Sequence, residues 1–257
     1  MFPLKDENPT FHRSLITYLI IALNILSWIF IQKLGTHPGL MKSITQFGLI
    51  PGDLLGLVKS GTQIPLGKGF TYILDGNPDW LTPISSMFMH GGWLHLIGNM
   101  WFLGIFGDNI EDLLGPVKFI IFYIFCGLCA AAAQIAANPA SPIPMVGASG
   151  AIGGVMGAYA IMFPRAPVHM LVFFGFFLTR IVVPAFFMLG YWFLLQLLGG
   201  IFSSGMGGVA FWAHIGGFFS GVILIKIFCN AQRVEECRLK RGRADRMISK
   251  YKRFTKQ

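Results

Sequence analysis

Three short stretches of this chain hold polar side chains that could do chemistry: Ser149 in "VGASGAIGGVMGAY", His214 in "FWAHIGGFFSG", and His95 with Asn99 in "GGWLHLIGNM". A serine hydroxyl is a weak nucleophile until a neighbouring base takes its proton, and histidine is the side chain best suited to take it near neutral pH. Backbone N–H groups left free at a helix N-terminus can in turn steady the oxyanion of an acyl-transfer intermediate. No Asp or Glu occurs between Leu113 and Val234, and the nearest acids, Asp108, Glu111 and Asp112, lie at the far end of the segment that carries His95 and Asn99. The pattern points to a Ser-His pair rather than a carboxylate-oriented triad. Taken singly, each motif has a structural reading as well: Ser149 as a helix N-cap, and His95 with Asn99, four residues apart on one helical face, as a hydrogen-bonded pair.

The elements that must position these groups are apolar. The 257 residues are 54% hydrophobic and only 12% charged, against about 25% charged in an ordinary soluble domain. No Asp, Glu, Lys or Arg occurs from Ser14 to Gln32, from Phe119 to Pro164, or from Ile181 to Ile225. Runs of this kind accommodate membrane spans of roughly 20 residues. Helices are expected near 14–32, 91–110, 117–137, 149–163, 183–200 and 209–228, so the predicted fold class is an all-α polytopic membrane protein with six crossings. The first run exceeds a signal-peptide core and lacks a small-residue cleavage site, which favours a retained helix. Residues 168–179, "VHMLVFFGFFLT", are too few to cross and are expected to be interfacial or re-entrant. The chain then divides into an N-terminal segment 1–13, a membrane domain 14–228 that includes an outer loop 33–90, and a basic tail 229–257. Within that loop, "PGLMKSITQFGLIPGDLLGLVKSG" reads as a segment lying along the membrane surface or as an ordinary soluble loop.

Charge sets the expected orientation. Lys5, Arg13, Lys118, Arg165, Arg180, Lys226 and the tail fall on one side of a six-crossing chain, and Lys33, Lys42, Lys59 and Lys68 on the other. By the positive-inside bias both termini are expected in the cytoplasm. Residues 233–257 carry ten Lys or Arg against three acids, which suits anionic lipid at a cytoplasmic surface better than nucleic acid. Four cysteines, two of them in an apolar helix, do not make a disulfide framework.

With this topology the second, fourth and sixth helices all begin at the outer face, and His95, Asn99, Ser149 and His214 share one depth. Ser149, Gly153 and Gly157 form one small-residue stripe, and Ala210, His214, Gly217 and Gly221 another. Stripes of this kind let helix backbones approach closely in a membrane, which would bring Ser149 and His214 into one seam. The free N–H groups at the start of the fourth helix would face the same place.

In "MFMHGGWLHLIGNMWFLGIFGDNIED", "VGASGAIGGVMGAY" and "FWAHIGGFFSG", in that order over most of residues 82–225, the chain resembles the rhomboid intramembrane serine proteases. The resemblance implies Ser149 as nucleophile, His214 as general base, and His95, Asn99 and the Ser149 N–H as oxyanion donors. It further implies structural roles for Gly147 and Gly150, which flank the nucleophile in Gly147-Ala148-Ser149-Gly150, and for Glu111, beside the packing roles that spacing gives Gly153, Gly157 and Gly217. Its substrates would be membrane-anchored proteins with a transmembrane segment that can be unwound near the scissile bond, cleaved at the extracytoplasmic side of the cell membrane without a cofactor. Residues 199–208, "GGIFSSGMGG", match a flexible cap. Two departures stand out. Trp80 is followed by Leu81 where many members have Trp-Arg, and Gly153 stands where some place an aromatic, which leaves the His214 ring without an evident support. Rival readings are an inactive rhomboid-like protein that binds transmembrane clients, a metal or haem site built from His90, His95 and His214, and a small-solute transporter. No HExxH occurs for the second, and the spans lack the charges of many ion-coupled carriers.

Overall fold

A computed structural model describes residues 2–66, 69–175, 177–202, 208–229, 232–237 and 239–240. Part of the expected cap, residues 203–207, and most of the basic tail lie outside the described residues. Six longer helices form the body: α1 (Leu15–Leu26, continued by a π turn Ser27–Ile31), α5 (Trp93–Leu114), α6 (Pro116–Ala137), α7 (Ser149–Met162), α8 (Ala185–Phe202) and α9 (Phe211–Phe228). Their positions follow the expected runs to within a few residues. Between α1 and α5 lie the short helices α2 (Gly39–Phe47), α3 (Pro51–Leu54) and α4 (Thr82–Ser85).

Three of the long helices, α6, α8 and α9, are long and apolar enough to cross a membrane, whereas α1 with its π turn and α7 are apolar but shorter. The last two turns of the 22-residue α5 carry Asp108, Glu111 and Asp112. The core runs through Phe106, Phe122, Tyr123, Val155, Met156 and Tyr159. On α8 the side chains of Phe186, Phe187, Leu194 and Leu195 face outward, an apolar exterior suited to lipid.

The expectation of an all-α chain needs correction. Residues 167–184 form an antiparallel hairpin, β4 (Pro167–Phe174) and β5 (Phe177–Pro184), turning at Gly175. The N-terminal strand β1 (Phe2–Asp6) adds to it in the order β1-β4-β5, with a bulge between Pro3 and Lys5. A dozen apolar residues cannot cross as a helix, and the run is dense in Val and Phe, which fit a pleated surface and satisfy their backbone groups by pairing. The segment 33–90, expected as an outer loop, is folded too. It contains a second hairpin, β2 (Gln63–Pro65) with β3 (Thr71–Ile73), a small core of its own around Ile50, Ile64 and Leu74, and a second cluster in which Leu40 and Ile44 pack against Trp28 of the π turn and Leu96 of α5.

The end of the bundle where α5 finishes is held by carboxylates. Both oxygens of the buried Glu111 accept from the first turn of α1: Oε1 from the Ile16 N–H at 2.9 Å, Oε2 from the Thr17 N–H and hydroxyl at 2.7 Å each. A carboxylate placed there satisfies donors that a helix N-terminus leaves unpaired and complements its dipole. Asp112 does the same for the preceding segment, accepting from the N–H groups of Phe11 and His12 and from His12 Nδ1. Gly115, at φ +78, then lets α5 stop and Pro116 start α6 at once. Replacing Glu111 by alanine leaves three donors, the two of Thr17 buried, without their acceptor, and is expected to cost about 3 kcal/mol. Thermal unfolding of the detergent-solubilised protein should show the loss, and Glu111→Gln, which keeps one acceptor oxygen, should lose less. An unchanged midpoint in Glu111→Ala would contradict this account of the anchor.

Candidate active site

At the opposite end, α5, α7 and α9 begin and α6 and α8 finish. Close backbone contact between α7 and α9 sets the geometry. A Cβ added to Gly217 would lie 2.0 Å from the Gly150 carbonyl oxygen, one added to Gly221 1.8 Å from that of Gly154, and one added to Gly157 2.1 Å from that of Phe218. Only hydrogen atoms fit in these gaps. The expected stripes do face each other, with Gly150 and Gly154, one residue along from Ser149 and Gly153, making the nearest approaches. Gly153 also touches α9, its added Cβ falling 3.1 Å from the His214 carbonyl oxygen.

Ser149 and His214 meet in this seam, His214 Nε2 lying 2.8 Å from Ser149 Oγ. The N-cap of α7 is Ala148, so the serine hydroxyl is not consumed in capping the helix. The start of α9 has no side-chain cap of its own, since its N-cap is Ala210. Gln134 on α6 supplies one, its Oε1 accepting the Ala213 N–H at 3.2 Å and fixing the turn that carries His214.

His95 and Asn99 approach the serine from α5. His95 Nδ1 accepts the Gly91 N–H at 3.2 Å, which leaves the proton of the neutral ring on Nε2 and makes that nitrogen a donor. It points at Gly147, where an added Cβ would stand 2.7 Å from His95 Nε2 and 3.4 Å from Ser149 Oγ. Gly147 also has φ +130, a conformation that side chains disfavour, so both space and backbone require glycine there. Asn99 is buried, and its Nδ2 finds no acceptor among the described residues. His95, Asn99, Ser149 and His214 all line one cavity of about 1450 Å³, with Trp192 and Met156 among its apolar walls.

Two contacts were not foreseen from sequence. Gln196 on α8 stands with Oε1 2.8 Å from His214 Nδ1, and Trp192, one turn earlier, lays its ring against the imidazole with centroids 5.8 Å apart. Together they support the His214 ring where Gly153 has no side chain to do so. The available signal was that Gln196 is the one side-chain amide in the charge-free run from Ile181 to Ile225.

The segment 33–90 is tied down without an arginine of its own. Gln32 clamps the backbone of His90 through two 2.8 Å hydrogen bonds, Leu49 pairs with Met145, Ser85 Oγ donates to the Phe47 carbonyl, and the Gly147 N–H donates to that of Ser86. The three histidines of the metal reading do not converge. His90 packs edge-on against His95, while both nitrogens of His214 are engaged by Ser149 and Gln196. Among the described residues the donor atoms of His12, Asp112 and Cys237 gather at the other end of the bundle. There His12 Nδ1 and Asp112 Oδ1 are 2.5 Å apart, a hydrogen-bond separation within the carboxylate anchor.

A family model described as the rhomboid domain matches residues 77–231, more than half of the chain and all four of the polar residues that meet at the cavity. A comparison with curated proteins finds no match.

Proposed function

Because this chain belongs to the rhomboid family, we propose that it is an intramembrane serine endopeptidase, with Ser149 as nucleophile and His214 as general base. It is a mostly helical, multi-pass membrane protein, and in this reading α1 and α5 to α9 make six crossings. Both termini face the cytoplasm, the cavity opens toward the extracytoplasmic side, and the basic tail meets anionic lipid. The substrates are membrane-anchored proteins whose transmembrane segment enters the apolar cavity. The observation that carries the proposal is the 2.8 Å separation of Ser149 Oγ and His214 Nε2 at a cavity wall that also holds donors.

The chemistry follows from that arrangement. As Ser149 Oγ bonds to the scissile carbonyl carbon, its proton passes to His214 Nε2, and the carbonyl oxygen takes the electron pair. The Ser149 N–H in the first turn of α7, His95 Nε2–H and Asn99 Nδ2 are the donors for that oxygen. When the C–N bond breaks, the proton on Nε2 goes to the leaving amine, and water repeats the sequence to release the acyl group. The apolar walls keep competing water from the donors, which strengthens each hydrogen bond.

A serine-directed fluorophosphonate tests the reading without any knowledge of the substrate. The purified protein is expected to form a covalent adduct at Ser149, detected by mass spectrometry of the labelled peptide, and His214→Ala is expected to lose it. Failure of the wild-type protein to label at Ser149 would turn the assignment toward an inactive family member that binds transmembrane clients.

A further inference from the structure

An imidazole accepts a proton only through a nitrogen that carries none, and neutral histidine exists as two tautomers. For His214 the choice between them is decided on its far side. A side-chain amide can turn either its oxygen or its nitrogen toward a neighbour, and the hydrogen-bond network settles which. Gln196 Nε2 donates to the Trp192 carbonyl, one turn back on α8, at 3.3 Å. A carbonyl oxygen can only accept, so the amide nitrogen faces Trp192 and the amide oxygen faces His214 Nδ1 at 2.8 Å. An oxygen there accepts a hydrogen bond only if Nδ1 carries the proton. The Nε2 lone pair is thereby directed at the Ser149 hydroxyl, 2.8 Å away.

We propose that Gln196 is a positioning residue that holds His214 in the Nδ1–H tautomer, with Trp192 restraining the ring against rotation. The inference rests on the serine-protease reading for its catalytic consequence, though the tautomer itself is independent of turnover. Throughout acyl transfer the Nδ1 proton stays on the ring, donated to Gln196 Oε1, while the Nε2 position alone gains the serine proton and gives it to the leaving amine. Gln196 thus occupies the place of a triad's third member. Being neutral, it contributes orientation and one hydrogen bond, without a charge to balance the imidazolium.

Two variants separate this role from packing. Gln196→Met keeps the length and apolar stem but offers Nδ1–H only a weakly accepting thioether, whereas Gln196→Glu keeps an acceptor oxygen. With a transmembrane reporter, Gln196→Met is expected to lower kcat about 10²-fold with KM little changed, by misdirecting the tautomer. Gln196→Glu should recover most of that loss. The decisive readout needs no substrate: nitrogen NMR of the full chain labelled with 15N-histidine, the His214 signals being assigned by their absence in His214→Ala. The wild-type protein should show a protonated Nδ1 and an unprotonated Nε2, and Gln196→Met a shift toward the other form. Finding wild-type His214 in the Nε2–H form would overturn the proposal, as would a Gln196→Met protein with both tautomer and kcat unaltered. If fluorophosphonate labelling fails while the tautomer signature follows Gln196, the protease reading falls and the positioning role stands.

Discussion

Ser149→Ala is expected to reduce cleavage of a transmembrane reporter to background, a loss on the order of 10⁴- to 10⁶-fold in kcat. The effect is large because no described neighbour offers a second hydroxyl at the His214 Nε2 position. His214→Ala should lose as much, since the hydroxyl would then have no base within reach. Groups that act as one unit are not additive, so the double variant should be no slower than either single one. Folding should be spared in Ser149→Ala. Ala148 is the N-cap of α7, and removal of the hydroxyl forfeits one hydrogen bond worth about 1 kcal/mol. The thermal midpoint should therefore move by no more than a few degrees. Turnover persisting in pure Ser149→Ala protein would eliminate the proposed nucleophile.

Gly217→Val carries the second large effect, on both stability and activity. Its Cβ would fall 2.0 Å from the Gly150 carbonyl oxygen, a backbone atom of the turn that begins with Ser149. Neither partner can move aside by rotating a side chain, so α9 must shift away from α7. Overpacking of this kind costs about 1–3 kcal/mol where the structure can adjust, and a backbone-on-backbone overlap belongs at the upper end or beyond. A shift of even 1 Å between hydroxyl and imidazole is enough to reduce catalysis about 10²-fold. Gly217→Ala already places that Cβ, and Gly104→Ala is its matched control, because nothing lies within 4 Å of a Cβ added there. The control should leave both the thermal midpoint and the turnover near the wild-type values. Equal tolerance of the two alanine substitutions would mean that α7 and α9 are not packed as closely as described.

Much of this site was legible in the chain itself. Helix periodicity places Ser149, Gly153 and Gly157 on one face and His214, Gly217 and Gly221 on another, and small residues at such spacing have one strong use in an apolar setting, close helix contact. Glu111 was marked as a structural acid by resemblance. Its partners, the first turn of α1, come from residues more than ninety positions away, and no local pattern names them. The hairpin of β4 and β5 departs from the expected all-helical chain. A short apolar run has no distinctive period when both of its faces are apolar, so Val168 and Met170 facing the core look no different from the exposed Phe173 and Leu178.

Sequence by itself determined the apolar helices, the lack of any acid from Leu113 to Val234, and the serine, histidines and asparagine available for chemistry, because composition and period act over a few turns of chain. Tertiary structure alone decided that Gln196 and Trp192 support His214, that Gln134 caps α9, and that Gly91 leaves His95 a donor at Nε2. The physical reason is range. A side chain's burial preference is written in its own type and its near neighbours, whereas a hydrogen bond joins whichever donor and acceptor the packed backbones bring within about 3 Å.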